Sequence, residues 1–431
     1  MLETIKNAWR ITELRKKILY TLFIVLIFRL GSSIPVPFVD FAMLSQVFEQ
    51  QTANGSLLSF MDVFTGGGLS NATIFAMGIT PYINASIILQ LLTVAIPALE
   101  HMVKDGGEEG QKKIASWTRY LAVILGFVQG FSYYMLLKSW GLLNETGVWA
   151  AIVIIMAFTA GTALIMWMGE HITQNGIGNG ISIILFAGII SRGPSLATAL
   201  VQLFTNSAVI GILMVIVGLA MVVFIVYMSN AERRIPIQYA KRVVGRKMYG
   251  GQSTHLPIKV NATGVMPIIF ASSILSLPAT IQMFWNPEAG TVGAAVMSLF
   301  RQTSPFYIAL YAIMIFGFSY FYASIQFNPI EIANNLKKNG GFVPGFRPGK
   351  PTADFLARVI NRLTMFGAIY LAVVALLPAI TGNIMLAFGS SAGNSLAIGG
   401  TSIIIVVGVA LETVKVLEAQ LMMRHYKGFL E

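Results

Sequence analysis

Ten long apolar runs dominate the 431-residue sequence and constrain its fold more than any other feature. A helix that crosses a bilayer needs roughly 20 consecutive, mostly apolar residues. The chain has enough of them, since 55% of its residues are apolar and only 11% are charged. The runs fall at about 18–35, 74–97, 114–137, 149–169, 180–200, 208–229, 262–284, 305–327, 360–382 and 397–420. This pattern predicts an all-α polytopic membrane protein with ten transmembrane helices, numbered below as spans 1 to 10.

The positive charges predict how these spans are oriented. If residues 1–17, a polar amphipathic stretch, are cytoplasmic, then nearly all of the 29 Lys and Arg residues lie in cytoplasmic segments or at their borders. Only Lys138, Arg192 and Arg301 would lie outside, and Arg29 would lie within span 1. Cytoplasmic loops of membrane proteins carry such an excess of positive residues. We therefore expect both termini on the cytoplasmic side.

The chain also contains an internal repeat. Residues 79–91 read ITPYINASIILQL, and residues 265–277 read VMPIIFASSILSL, with a shared Pro-x-Ile-x-Ala-Ser core. The two copies belong to spans 2 and 7, and an offset of five spans makes them cross the membrane in opposite directions. This predicts two inverted halves of five helices each, 18–200 and 201–431, with the working site between them. Chance agreement between two apolar helices is the alternative.

The distribution of charge favours a channel over a coupled carrier or an enzyme. Coupled carriers usually place ionisable groups at mid-membrane, yet spans 2 to 9 have no Asp or Glu near their centres. Glu170, Glu412 and Lys415 lie towards cytoplasmic ends, which leaves Arg29 as the deep charge. The chain has no cysteine, its four histidines are dispersed, and a Walker GxxxxGK[ST] motif is absent. We therefore expect no metal, no cofactor and no catalytic activity.

Small polar residues on four spans are typical of helices that border a crevice. Spans 2, 5, 7 and 10 carry Asn84, Ser86, Ser182, Ser272, Ser273, Thr401 and Ser402. Such residues tolerate water on one side and lipid on the other. They also permit close helix packing, and the sequence leaves both interpretations open.

Several motifs resemble the SecY family of protein-conducting channels over nearly the whole chain and in the family's order. They are SSIPVPFVD (32–40), FAMGITPYINASIILQLL (75–92), GIGNGISIILFAG (176–188), the block 231–273, FVPGFRPGKPTADFLARVINRLT (342–364) and GGTSIIIVVGVALET (399–413). The block 231–273 is the most specific of these. The resemblance implies a passive pore for unfolded preproteins, with a side opening through which transmembrane helices enter the lipid.

The resemblance also implies the residues of the pore. An apolar ring at its waist would consist of Ile79, Ile83, Ile181, Leu185, Ile269 and Ile405. Aliphatic side chains at a constriction exclude water and hence ions. A plug at 56–73 would close the pore from outside, through Leu57, Leu58, Phe60, Met61, Val63, Phe64, Gly66, Gly67 and Gly68. A lateral gate between spans 2 and 7 would include Asn84, Ser86, Ile87, Gln90, Ser272, Ser273 and Leu277.

Two long basic loops, 230–260 and 328–360, would be the docking surface on the cytoplasmic side. The residues concerned are Arg242, Arg246, Lys247, Arg347, Lys350 and Arg358. The resemblance implies the SecA motor or the ribosome as the docked partner, SecE and SecG as companion subunits, and signal peptides and nascent chains as clients. It also implies the bacterial inner membrane as the location. General attraction of these loops to anionic membrane lipids is the rival interpretation.

Overall fold

The computed structural model describes residues 2–52, 62, 65–206, 208–239, 242–244, 247–249, 253–284, 292–300, 304–387 and 393–427. Up to residue 206 the helices are α1 (Leu2–Arg10), α2 (Thr12–Gly31), α3 (Phe41–Thr52), α4 (Thr80–Ala95), α5 (Pro97–Lys104), α6 (Gly107–Ser139), α7 (Val148–Asn175), α8 (Gly180–Ser191) and α9 (Gly193–Asn206). The later helices are α10 (Ala208–Asn230), α11 (Met266–Leu275), α12 (Leu277–Phe284), α13 (Val292–Leu299), α14 (Pro305–Gln326), α15 (Pro329–Lys338), α16 (Lys350–Ala387) and α17 (Gly393–Lys427). The strands are β1 (Glu232–Tyr239), β2 (Arg242–Val244), β3 (Lys247–Tyr249), β4 (Ser253–Lys259) and β5 (Gly341–Phe342).

The helices confirm a polytopic membrane protein but leave the number ten a prediction. Within the described residues, five helical stretches are long and apolar enough to cross a bilayer: α6, α7, α10, Pro305–Lys338 and Lys350–Leu377. The helices α4 and α5 are bent by 105° relative to each other at the break between them. They make a sixth stretch if the pair is counted as one broken span. The helices α8 and α11 are apolar but shorter.

Three spans differ from the predicted runs, and prolines explain much of the difference. The helix of span 2 begins at Thr80 rather than 74, and Pro81 stands in its first turn, where a missing N–H costs nothing. It bends before Pro97, since the residue before a proline avoids the α-helical conformation. Span 7 begins at Met266 and breaks at Ser276, two residues before Pro278. Span 5 breaks at Arg192, between α8 and α9.

The two copies of the repeat begin with the same backbone turn. Gly78 and Gly264 have φ of 57° and 64°, a left-handed conformation that glycine adopts at little cost. The next residue is α-helical in both copies, with φ and ψ of −92° and 0° at Ile79 and −91° and −5° at Val265. Both helices then carry proline in the first turn. This shared turn argues against chance agreement of the two apolar segments.

Helix contacts recur with an offset of five spans. α4 packs on α6 as α11 packs on α14, and α2 packs on α7 and α8 as α10 packs on α16 and α17. Likewise α6 packs on α7 as α14 packs on α16, and α7 packs on α8 as α16 packs on α17. The repeated helices α4 and α11 also contact each other directly. We call this α4–α11 contact the seam.

The two basic loops form one body that contains a β-sheet, which the all-α prediction did not include. We call it the loop body. β1 pairs with β4 in antiparallel register from Glu232↔Lys259 to Gln238↔Ser253, and β5 joins the other edge of β1. The sheet order is therefore β4-β1-β5. Its buried face packs on α15 and α16 through Ile235, Ile258, Ala333, Val343, Leu356 and Ile360. Loops 230–260 and 328–360 thus share a hydrophobic core.

Candidate functional site

The predicted ring residues lie in the largest apolar cluster of the described chain. Ile79, Ile83, Leu185, Ile269 and Ile405 are buried there, and Ile181 is partly buried against it. Ile79 and Ile181 meet beside Gly169 of α7, where an added Cβ would lie 3.6 Å from Ile79 Cδ1 and 3.5 Å from Ile181 Cγ1. The helices that carry these residues are in contact as α4 with α11 and α8 with α17. Their arrangement as a ring around a pore stays a prediction.

Six of the seven predicted gate residues lie on the seam helices α4 and α11, and Leu277 is the first residue of α12. Asn84, Ile87, Ser272 and Ser273 are buried, Ser86 and Gln90 are half-buried, and Leu277 is exposed. Beyond the seam, α12 packs on α6, so that span 7 also touches span 3.

Some buried polar atoms on the seam helix α4 and on the neighbouring helices α6 and α12 lack hydrogen-bond partners. Within the described residues they include Asn84 Nδ2 and Gln90 Oε1 on α4, Gln129 Oε1 on α6 and Thr280 Oγ1 on α12. An unpaired buried polar group costs about 1–3 kcal/mol. Asn84 Nδ2 and Gln90 Oε1 therefore make the packing around α4 less stable than an arrangement in which both atoms are hydrogen-bonded.

The described part of the predicted plug is anchored to two spans. Gly66 lies against the end of α8, where Ser191 Oγ donates to Gly66 O at 3.3 Å and a Cβ on Gly66 would lie 2.8 Å from Gly188 O. The hydroxyl of Tyr133 on α6 donates to Leu69 O. Gly67 and Gly68 continue the turn. The predicted plug residues Leu57, Leu58, Phe60, Met61, Val63 and Phe64 lie outside the described residues.

An ion pair that sequence reasoning missed joins this segment to span 5. Asp62 Oδ2 lies 3.1 Å from Arg192 Nη1, and the Asp62 side chain is only 1% exposed, whereas that of Arg192 is 32% exposed. The Ser70 N–H donates to Asp62 Oδ1 at 2.8 Å. Burial raises the pKa of Asp62, while the Arg192 guanidinium and the Ser70 N–H act in the opposite direction. We call the Asp62–Arg192 pair the latch.

The sequence carried a signal for the latch. Asp62 is the single charged residue of 56–73, and Arg192 is one of the few cations predicted to lie outside. An isolated charge in an apolar segment usually has a partner when it is buried.

The predicted docking residues occupy different parts of the loop body. Arg347 is exposed in a turn, and its carbonyl oxygen accepts a hydrogen bond from Thr352 Oγ1 at 2.8 Å. Lys350 is exposed at the start of α16. Arg242 pairs with Tyr249, and Lys247 with Val244, in the β2–β3 hairpin. The prediction for Arg246 lies outside the described residues. Arg358 lines a separate cavity with Arg233 and Arg362.

Comparisons with known proteins agree with this architecture. A sequence model of the SecY family matches residues 73–414. The protein translocase subunit SecY of Streptomyces coelicolor is 44% identical over 443 residues, and that of Mycobacterium tuberculosis is 43% identical over 448 residues. Each of these alignments covers 100% of this chain and 100% of the relative.

Solved structures share the fold at lower sequence identity. A structure described as that of a protein conducting channel has a TM-score of 0.64 and 18% identity, and covers 94% of this chain and 92% of that chain. Sec61 in the canine ribosome–channel complex from the endoplasmic reticulum has a TM-score of 0.60, 16% identity and the same coverage. The matched family segment and the full-length relatives establish one conclusion: this chain belongs to the SecY family.

Proposed function

We propose that this chain is the channel-forming subunit of a protein translocase, and that it conducts unfolded preproteins across the bacterial inner membrane. The observation that carries the proposal is the full-length 44% identity to a relative named protein translocase subunit SecY. The seam adds physical support. The same helix contacts recur in two sets of helices, and the contact of the repeated helices α4 and α11 joins one set to the other. Both termini would be cytoplasmic, as the charge distribution predicts.

In this proposal three parts of the chain control passage. The aliphatic ring at Ile79, Ile83, Ile181, Leu185, Ile269 and Ile405 keeps the waist dry, because bulky apolar groups at a constriction oppose wetting. The 56–73 plug covers it from outside and is held by the latch. The seam is the lateral gate, and the unpaired Asn84 Nδ2 and Gln90 Oε1 of α4 lower the cost of separating the helices. Driving force would come from a partner motor or from the ribosome.

Cysteine crosslinking tests whether a client enters through the seam. The chain has no cysteine, so a single introduced thiol reports one position. We expect Ser86→Cys on α4 and Ser273→Cys on α11 each to form a disulfide with a cysteine in the signal sequence of a stalled secretory precursor. The control is Leu219→Cys on the exposed face of α10. Crosslinking at the seam no higher than at Leu219 would remove the gate assignment.

The loop body would lie on the cytoplasmic side and would be the docking surface for the SecA motor or the ribosome. Arg347 and Lys350 are both exposed, and Arg242 and Lys247 lie on the β2–β3 hairpin at the tip of the same body. A solved Ssh1 complex bound to a ribosome and the ribosome-bound Sec61 share the fold of this chain, which supports the ribosome as a partner class. By family resemblance, SecE and SecG would complete the channel.

Charge reversal at Arg347 tests the docking role. We expect Arg347→Glu to abolish most motor-driven export, because a carboxylate on the exposed turn repels an anionic partner that a guanidinium attracts. Export of a secretory protein into inverted vesicles measures the effect. Lys337→Glu, an exposed change elsewhere in the same loop, is the matched control. Equal export by the two variants would exclude Arg347 from docking.

A further inference from the structure

Arg29 is the deep charge of the sequence, and neither the proposed conduit nor the docking surface uses it. Its side chain is exposed on α2, on the same face as Leu22 and Leu26, which are both 56% exposed. Residues three or seven positions apart share one face of a helix. The other face of α2, which packs on α7 and α8, holds the buried Ile24 and Phe28. Arg29 therefore points away from its own chain and stands within an apolar surface.

Exposed tryptophans of α7 mark the borders of the membrane. This helix is long and apolar enough to cross a bilayer. Its Trp149 and Trp167 are 70% and 52% exposed, and they lie about 27 Å apart, from the helical rise of 1.5 Å per residue. Tryptophan is enriched at both membrane–water interfaces. The segment of α7 between these two residues therefore lies in the hydrocarbon.

Contacts between the helices place Arg29 at the level of this segment. Phe28, its neighbour in α2, stacks on Phe75 with ring centroids 5.8 Å apart. The carbonyl oxygen of Ile74, one residue before Phe75, lies against Gly161 of α7. Along the axis of α7, Gly161 is about 18 Å from the first tryptophan and about 9 Å from the second. Arg29 therefore lies in the hydrocarbon region and not among the head groups.

A guanidinium group at this depth needs an acceptor. Charged side chains within the hydrocarbon are costly, and they almost always pair with other protein groups. Within the described residues, the guanidinium group of Arg29 forms neither an ion pair nor a hydrogen bond. The nearby Ser32 hydroxyl donates to the backbone oxygen of Arg29, at 2.8 Å. A cation on this exposed apolar face indicates that another chain supplies the acceptor.

We propose that the exposed face of α2 binds a transmembrane helix of a partner chain, and that an acidic side chain of that helix pairs with Arg29. A carboxylate neutralises the guanidinium group and accepts two parallel hydrogen bonds from it. Leu22 and Leu26 supply an apolar surface for the same helix, one and two turns along α2. Lipid phosphate fits less well, because head groups lie outside the hydrocarbon that surrounds Arg29. This inference rests on the membrane fold and not on the conduit.

Site-specific photocrosslinking in native membranes tests the surface. A photoreactive phenylalanine analogue at Leu22 or Leu26 should capture one membrane polypeptide through a transmembrane segment that contains Asp or Glu. The same analogue at Leu219, on the exposed face of α10, is the positional control. Arg29→Leu should lower the yield of this adduct about tenfold, and Arg29→Lys should give an intermediate yield, because it keeps the charge without the paired donors. The matched control Lys16→Leu removes an exposed charge from the same helix and should keep the full yield.

The partner's carboxylate provides a second test. Its neutralisation should lower the yield as much as Arg29→Leu does, and the two changes together should cause no further loss. An adduct that does not depend on Arg29, or a captured segment without an acidic residue, would overturn the proposal. So would a loss of bound anionic phospholipid in Arg29→Leu with an unchanged adduct, since that result assigns Arg29 to a lipid head group.

The purified chain distinguishes this role from a structural one. Without its partner, Arg29→Leu should unfold at a higher temperature than the parent chain, because the change removes an unpaired charge from an apolar surface. Stability of the chain and binding of the partner should therefore change in opposite directions. A lower unfolding temperature would show that Arg29 stabilises its own chain and would contradict the proposal.

Discussion

Asparagine in place of Ile79 or Ile269 should make the resting channel leak ions ten- to a hundredfold faster. This increase corresponds to a free-energy barrier for ion passage that is lower by about 1.4–2.7 kcal/mol. Both residues are buried in the central apolar cluster. An amide at a dry constriction binds water that an aliphatic group excludes, so the waist becomes wetted and conducts. Ion flux into reconstituted vesicles measures the change. The same variants should also discriminate less between functional and defective signal sequences.

Matched controls distinguish wetting from loss of packing. Ile79→Leu and Ile269→Leu change shape but not polarity, and swaps of this kind usually cost less than about 1.5 kcal/mol. We expect them to remain closed. Thermal unfolding in detergent should show that the asparagine variants are folded at the assay temperature. Unchanged flux in folded asparagine variants would mean that these isoleucines do not form the barrier.

Loss of the latch should also open the resting channel. Removing one partner of a buried ion pair costs about 3–5 kcal/mol, and the partial exposure of Arg192 reduces this cost. We expect Arg192→Gln to raise ion flux about tenfold or more, which corresponds to a barrier lowered by ~1.4 kcal/mol. The reason is that a buried Asp62 carboxylate without its cation is more stable when it is released to water. Vesicle flux in the absence of client measures the effect.

The double variant Asp62→Asn/Arg192→Gln removes both charges and should restore closure, since a neutral pair has no buried charge to compensate. In Arg192→Gln alone, flux should rise with pH. The docked Asp62 has a raised pKa and the released carboxyl an ordinary one, so protonation favours docking and ionisation favours release. A pH-independent leak, or no recovery in the double variant, would contradict the latch.

The membrane architecture was predictable because its signals are local in the sequence. Apolar runs and positive loops reflect solvation, which acts on each segment separately. The repeat was visible because Pro81 and Pro267 mark helix starts that need the same residues in both copies. The breaks at Arg192 and Ser276 were missed, since continuous apolarity does not reveal where a helix bends.

The sheet, the latch and the cavity lined by Arg233, Arg358 and Arg362 depend on contacts between distant segments. The alternation of apolar residues in ERRIPIQY predicts a strand at β1. The excess of positive charge in the same loop indicates docking and does not reveal the strand. The latch joins residues 130 positions apart in a chain of 431 residues, and only the fold brings them together. Arg233 and Arg358 line one cavity for the same reason.

The three-stranded sheet β4-β1-β5 gives this chain a mechanical property. β1 is hydrogen-bonded to β4 of its own loop and to β5 of the other loop. We therefore expect the two loops, which are far apart in sequence, to move together when a force acts on either of them. β4 ends at Lys259, and only residues 260–265 separate it from α11, the seam helix. We therefore expect a force applied to the sheet to reach α11, and with it one side of the seam, over a connection of only six residues.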